Sequence, residues 1–219
     1  MKRIYFLFIL ISSLFSSINS LAQGGELLIQ QYSKGPQLDQ NYSKWTIKLG
    51  PQLNRLNTDL GTTSPTLTIG GLVEIEYKLS KTVGLKTGSQ FTPIAYRFAV
   101  GDSIGQDHLK YLSLPLILKL QPTKKVSFGL GLLYHYFLEG ERRITFKESR
   151  VTTPYTEGIF KNSFGGIAQI TYHIHPRISL FTNFRWVKRS SPATQAQTNN
   201  TSGFQMGISF QVWKSIPRP

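Results

Sequence analysis

The sequence predicts an all-β fold, and more closely an eight-stranded antiparallel up-and-down transmembrane β-barrel. Apolar residues alternate with polar or small residues along eight segments, and this period of two is typical of β-strands. Long polar stretches and turns of a few residues join the segments alternately, as in the barrels of bacterial outer membranes. The apolar stripes also lack charge over about nine residues, the length that a tilted strand needs to cross a bilayer.

A leucine-rich strand is predicted to end at Gln121. From Leu112 to Leu120 every second residue is leucine, while the alternate positions are mixed and include Pro115. One face of this strand is therefore apolar and the other tolerates polar groups. Because Pro115 has no amide hydrogen to donate to a neighbouring strand, we expect a β-bulge or a slipped pairing there.

The N-terminus has the three-part plan of a secretory signal peptide. Two basic residues precede an apolar run from Ile4 to Leu14, and small residues follow up to Ala22. We expect residues 1–22 to be removed by cleavage after Ala22. An N-terminal membrane anchor is the alternative, but the apolar run is shorter than the ~20 residues of a spanning helix. Residues 23–44 are polar, contain several glycines and predict a flexible leader.

The barrel is predicted over residues 45–213, followed by a short tail at 214–219. Its first strands are expected at about 45–53, 67–79 and 83–98, where apolar side chains alternate with polar ones. The leucine-rich strand is the fourth. We expect loops at 54–65 and 99–107, and tight turns at 80–81 and 122–124.

The last four strands are expected at about 125–138, 159–172, 177–187 and 203–213. The longest loop, 139–157, contains two short β-prone segments at 144–146 and 151–153 that could extend its strands as a protruding hairpin. A turn is expected over His173–Pro176 and a polar loop over 190–202.

Two features favour lipid on the apolar side of the strands. Aromatic residues crowd the ends of the stripes, as in the interfacial girdles of membrane barrels, at positions Trp45, Tyr77, Tyr134, Tyr136, Phe160, Tyr172, Phe184 and Trp186. The opposite side carries small residues and charges of both signs, which suits a narrow lumen whose buried charges need partners. This predicted lumen charge network consists of Lys48, Glu74, Glu76, Lys86, Lys119 and Arg185. The alternative, a secreted soluble lipocalin-like binding barrel, would turn the apolar side inward.

The composition of the chain limits the kinds of partner that it is expected to bind. The formal net charge is +14, yet the basic residues are dispersed and form no long run, which disfavours nucleic-acid binding and favours anionic lipid headgroups. There are no cysteines, so disulfides and thiolate metal sites are excluded.

Several stretches resemble a known family. The signal end at Ala22-Gln23, the Tyr111–Leu120 stretch and the glycine-rich Phe128–Leu132 segment resemble the outer-membrane β-barrel domain family common in Bacteroidetes, which includes PorT-like proteins. The resemblance covers about residues 45–213. It implies a small outer-membrane barrel and no particular reaction. The last strand also looks like the signal read by the barrel-assembly machinery, although six residues follow Trp213.

No catalytic, cofactor or metal site is predicted. His135 and Glu139 form the best acid–base pair, and both are expected on the polar side of the fifth strand. A lumen histidine hydrogen-bonded to a carboxylate is the favoured interpretation of this pair. His173 and His175 could hold a metal only with a carboxylate nearby. All four aspartates are expected in solvated loops.

Basic residues gather at the outer ends of strands five to seven. We hypothesise that they contact lipopolysaccharide phosphates; they are Arg142, Arg143, Lys147, Arg150, Lys161, Lys188 and Arg189. The expected function is that of a non-enzymatic structural or surface-interaction barrel of the cell outer membrane. An accessory role in protein secretion or transport, with a protein partner, is the alternative.

Overall fold

The computed structural model describes residues 43–58, 63–101, 103–146, 149–155, 162–188 and 200–216. The predicted signal peptide, all but the last two residues of the predicted leader, and residues 217–219 lie outside this part of the chain.

Ten antiparallel strands make up the fold of the described residues. They are β1 (Trp45–Thr58), β2 (Ser64–Thr66), β3 (Thr68–Lys78), β4 (Val83–Val100), β5 (Ser103–Leu120), β6 (Val126–Phe146), β7 (Ser149–Pro154), β8 (Ser163–His175), β9 (Ile178–Lys188) and β10 (Asn200–Lys214). All except β2 and β7 form a closed ring of eight, each strand pairing with its neighbours in the chain and β10 returning to β1. The predicted eight-stranded antiparallel barrel is confirmed.

Closure of the ring pairs the backbone hydrogen-bonding groups of the first and last strands. β1 and β10 pair from Thr46 opposite Lys214 to Thr58 opposite Thr201, with one shift of register between Ile47 and Lys48. A ring leaves no open edge, and an open edge in hydrocarbon would cost several kcal/mol for each unpaired group.

The strands on one side of the barrel run further than predicted. β4 continues to Val100 and β5 begins at Ser103, so the loop predicted over 99–107 is wrong. The chain turns near Gly101, whose φ of +56° suits a residue without a side chain. The loop was predicted because Gln106 and His108, between Ile104 and the leucine stripe, are polar residues at outward positions and interrupt the apolar alternation that predicts a strand.

A second hairpin protrudes at the same end. β6 extends to Phe146 and pairs with β7, as the β-prone segments suggested. At the opposite end, residues 79–82, 121–125 and 176–177 make the short connections. The turn predicted over His173–Pro176 is therefore shorter, and both histidines belong to β8. We call these ends the hairpin end and the short-turn end.

Pro115 does not shift the register, so the predicted bulge or slip is wrong at that position. β5 pairs with β4 on either side of it in one register, Leu116 opposite Thr87 and Ser113 opposite Gln90. The hydroxyl of Thr87 donates to the Pro115 carbonyl at 2.9 Å. The irregularity lies instead between Lys110 and Tyr111, opposite β6.

The barrel is apolar outside and mostly polar inside, although Ile117, Leu133, Ile167 and Val187 form a buried apolar cluster. On β5 the outward residues from Leu112 to Leu120 are all leucine, and the next outward residue is Lys110, about half exposed. Charged and amide side chains such as Glu74 and Gln90 face inward and are buried. This arrangement fits a bilayer and is the reverse of a soluble lipocalin-like barrel, so that alternative is excluded. Within the described residues, no helix is long and apolar enough to cross a membrane.

Candidate functional site

The lumen near the short-turn end is lined by charged side chains. The structure places Lys48, Glu74, Glu76, Lys86 and Lys119 inward and buried near this end, and Arg185 inward and buried further along the lumen. They come from five different strands. On each strand they occupy positions that alternate with the lipid-facing residues, so their side chains point into the lumen.

Two tight ion pairs organise this layer. The ammonium nitrogen of Lys119 lies 2.8 and 3.0 Å from the two oxygens of Glu76. Lys86 lies 2.9 Å from Glu74. Lys48 is less well compensated, since its nitrogen is 4.0 Å from Glu76, which already binds Lys119. Buried charges are tolerated when they are paired and hydrogen-bonded, so Glu76 holds two lysines inside the barrel.

Arg185 sits deeper and has a different environment. It is 1% exposed, and it donates to the hydroxyl of Thr92 at 3.0 Å and to Gln90 at 3.2 Å. Neutral oxygens rather than a carboxylate therefore hold this cation among the described residues.

A ladder of amides crosses the lumen wall. Lys86 donates to Gln169 at 2.6 Å, and Gln169 donates to Asn183 at 2.8 Å. Asn183 donates to Gln205 at 2.8 Å, and Gln205 donates to Asn54 at 2.6 Å. These four amides stand directly opposite one another on β8, β9, β10 and β1. The ladder links four neighbouring strands through side chains as well as backbone.

The hairpin end is closed by apolar and aromatic side chains. We call this cluster the apolar seal; it consists of the buried residues Leu56, Ile94, Tyr96, Leu109 and Tyr111, with Phe98, Phe137 and Tyr155 packed against them. Its members come from β1, β4, β5 and β6 and, for Tyr155, from the residue after β7, and they lie beyond the level at which the lipid-facing stripe ends at Leu112.

One carboxylate lies within the seal. Asp107 is fully buried and accepts hydrogen bonds from Arg142 at 2.9 and 3.0 Å and from the hydroxyl of Tyr96 at 2.9 Å. The bonds to Asp107 raise the pKa of Arg142. Burial, followed by the Asp107 charge, raises the pKa of Tyr96. Both donors therefore stay protonated, and the prediction that Asp107 is a solvated loop residue is wrong.

The lumen opens at the other end into a cavity of about 320 Å³. Its lining combines the Lys48, Glu76 and Lys119 group with residues of the short turns. The further lining residues are Thr46, Lys78, Gln121, Lys124, Lys125, His173, Ile174, His175, Pro176 and Gln211.

The suggested acid–base pair is wrong. His135 is buried, with its ring 5.3 Å from Tyr111 and Nε2 3.5 Å from Ser113. Glu139 lies outside and pairs with Lys110. The extra residue Leu138 in β6, where Lys110 pairs with Glu139 and Tyr111 with Phe137, reverses the sidedness.

The two histidines of β8 also do different things. His173 is bound at Nδ1 to Ser179 at 2.8 Å, while His175 is exposed. Among the described residues, no cluster of three or more histidines and carboxylates is placed to hold a metal ion.

The predicted lipopolysaccharide residues do not form one group. Arg142 points inward to Asp107, which corrects its placement on the outer rim. Arg143 points outward beside Glu141, and Lys188 is exposed at the end of β9. Lys147, Lys161, Arg189 and the side chain of Arg150 lie outside the described residues.

Sequence reasoning missed the amide ladder and the apolar seal. The ladder residues Gln169, Asn183 and Gln205 all occupy the parity opposite the lipid-facing stripe, so a search for amides on facing strands could have found them. The seal residues share that same inward parity, which had been assumed to be polar throughout.

Comparisons with known proteins return structures only. No family model matches the sequence, and no curated protein matches it significantly. The PorT-like resemblance therefore stays a prediction.

Three solved outer-surface barrels illustrate the structural matches. Ail, the attachment invasion locus protein of Yersinia pestis, in complex with the heparin analogue sucrose octasulfate, has 15% identity and a TM-score of 0.48, covering 76% of this chain and 96% of that one. Neisserial surface protein A has 10% identity and a TM-score of 0.45, covering 77% and 97%. OprG, an outer membrane protein of Pseudomonas aeruginosa, has 14% identity and a TM-score of 0.39, covering 78% and 98%. The barrel assignment rests on the strand pairing of this chain.

Proposed function

We propose that this chain is a small non-enzymatic outer-membrane barrel that acts as a structural or surface-interaction protein. The filled lumen is the observation that carries the proposal. Single-chain barrels with an apolar exterior belong to bacterial outer membranes, where short turns face the periplasm and long connections face outward. The hairpin end is then the cell surface, and the short-turn end faces the periplasm.

Three layers of side chains support a non-conducting role. Ion pairs around Glu76 fill the first, amides and Arg185 fill the second, and the apolar seal fills the third. A path for ions would have to break a desolvated pair and then cross the seal, whose residues offer ions little hydration. What the protein presents for interaction is therefore its outer surface and its two hairpins.

Planar bilayer recording tests this role. The purified chain should insert without a stable open level in concentrated KCl, because the seal blocks the lumen. Simultaneous deletion of two seal side chains, Leu109→Ala with Tyr111→Ala, should produce open events. A large, steady conductance of the unaltered protein would contradict a filled lumen and support transport.

We further propose that outward cations at the hairpin end bind lipopolysaccharide phosphates. Arg55, Lys110 and Lys188 each occupy the next outward position beyond the apolar stripe of their strands, and all three are exposed. Lys110 pairs with Glu139, whereas Arg55 and Lys188 have no ion-pair partner among the described residues. Each free cation at a lipid headgroup contributes about 1 kcal/mol. The predicted residues Arg143, Lys147, Arg150, Lys161 and Arg189 stay in the proposal, and Arg142 leaves it.

Co-purified lipopolysaccharide tests the contact. Arg55→Gln with Lys188→Gln should weaken retention by about fivefold per charge at low salt. Lys124→Gln with Lys125→Gln removes the same charge at the opposite end and serves as the control. Equal retention by both double variants would count against the contact.

Partners of the chain also stay proposals. The outward aromatic and apolar residues of β10, Phe204, Ile208 and Phe210, support assembly by the barrel-assembly machinery. An accessory role in secretion, as the PorT-like resemblance implies, predicts a protein partner in a pull-down from gently solubilised membranes. Recovery of lipid alone would favour the structural role.

A further inference from the structure

The cavity at the short-turn end is strongly cationic. Five lysines line it, namely Lys48, Lys78, Lys119, Lys124 and Lys125, against the single carboxylate of Glu76. Low-dielectric walls concentrate the field of such a cluster and attract small anions. The charge imbalance is built into the fold, because the lysines come from β1, β3, β5 and the turn before β6.

Lys48 is the residue that most needs a further partner. It is 7% exposed, its nitrogen is 4.0 Å from Glu76, and Lys119 takes the two short contacts to that carboxylate. A buried ammonium with a shared counter-ion is costly to keep. Its side chain lines the cavity, so an anion there would complete its coordination.

Neutral donors and the size of the cavity suit a small ligand. Thr46, Gln121 and Gln211 line the wall beside Lys48 and offer hydroxyl and amide groups. The volume of about 320 Å³ lies at the lower end of the range of ligand sites. It would hold on the order of ten waters, or a compact anion with several charged groups.

We infer that this cavity is a binding site for a small multivalent anion that carries phosphate or carboxylate groups and enters from the periplasm. Lys48 and Lys119 form its floor, and Lys124 and Lys125 form its rim. The periplasmic orientation rests on the proposed function, whereas the binding itself does not. Lysine contacts phosphate and carboxylate oxygens as a point charge, so one site accepts either chemistry.

Titration calorimetry with inorganic pyrophosphate tests the site. The mature chain, refolded in zwitterionic micelles at low salt, should bind one pyrophosphate. Lys48→Met keeps the length of the side chain and removes the charge, and it should raise Kd on the order of tenfold. Lys124→Gln with Lys125→Gln should do the same at exposed positions, where folding is not at risk.

The control moves the same charge change to the other end. Arg97→Gln removes one charge, as Lys48→Met does, at an exposed position of the hairpin end, and Kd should change less than about twofold, since the screened field of the far end is weak. A parallel titration with citrate distinguishes a carboxylate ligand from a phosphate ligand. Absence of binding by both anions, or equal Kd in the rim variant and the control, would overturn the proposal. Binding by a protein that also conducts would uphold the site and refute the filled lumen.

Discussion

The two ends of the lumen are closed in opposite ways. At the hairpin end, aromatic and aliphatic side chains pack around one fully paired carboxylate, Asp107. At the short-turn end, lysines outnumber carboxylates around an open cavity. Two strands, β1 and β5, contribute inward residues to both ends.

The comparison shows that inward parity sets position but not chemistry. On β5, Leu109 and Lys119 are both inward and buried, one in the seal and one in the ion-pair layer. The apolar seal lies on the hairpin side of the lipid-facing stripe, and it can exclude water because its side chains pack like those of an ordinary protein core. Alongside the lipid-facing stripe the lumen is mostly polar, apart from the buried cluster of Ile117, Leu133, Ile167 and Val187. Its lysines and glutamates there are paired with one another.

Removing the carboxylate of Glu76 should have the largest effect. Glu76→Gln leaves Lys48 and Lys119 buried without their counter-ion, and removal of one member of a buried pair costs roughly 3–5 kcal/mol. Urea unfolding in micelles, followed by the gel shift between folded and heated barrel, measures it. Glu139→Gln, the same change at an exposed pair, is the control, and equal losses would show that Glu76 holds nothing in place.

Opening the apolar seal should rank second. Leu109→Ala creates a cavity among buried side chains, and such truncations cost about 2–5 kcal/mol. Leu114→Ala removes the same atoms from the lipid-facing side of β5, where detergent or lipid fills the space, so its loss in unfolding free energy should be smaller. If the two variants unfold alike, the seal is not packed as described.

The exposed pair between Lys110 and Glu139 should matter least. Both side chains are about half exposed or more, and solvent screens such pairs, so Lys110→Gln should change stability by less than about 1 kcal/mol. Lys119→Met, on the same strand but inside the lumen, provides the contrast. A larger loss for Lys110 than for Lys119 would reverse the proposed roles of the two faces.

Much of this architecture could be predicted because its signal is periodic. The leucines of β5 and the aromatics of β10 mark the lipid-facing side, and eight such stripes give the strand number. Beyond the bilayer the constraint disappears, and for that reason the hairpin of β4 and β5 was taken for a loop. The prediction of which side a residue faces also fails beyond a bulge, as Glu139 shows, because one extra residue reverses the direction of every later side chain in the strand.

Specific partners inside the lumen could not be predicted. The alternation along β9 predicts that Arg185 faces the lumen with the other charges. Its partners, Thr92 and Gln90 rather than a glutamate, depend on how the strands are arranged around the ring. Asp107 and Arg142 are 35 residues apart and meet through the pairing of β5 with β6. Such contacts depend on strand stagger, which composition does not encode.

The amide ladder also acts as a check on assembly. Its last bond, from Gln205 to Asn54, joins residues 151 positions apart and can form only after the final strand meets the first. If β10 paired with β1 one residue out of register, Gln205 would face the hydrocarbon and its amide would have no hydrogen-bond partner there. The ladder therefore penalises mistaken closure at the one seam where the chain itself does not dictate the alignment of its strands.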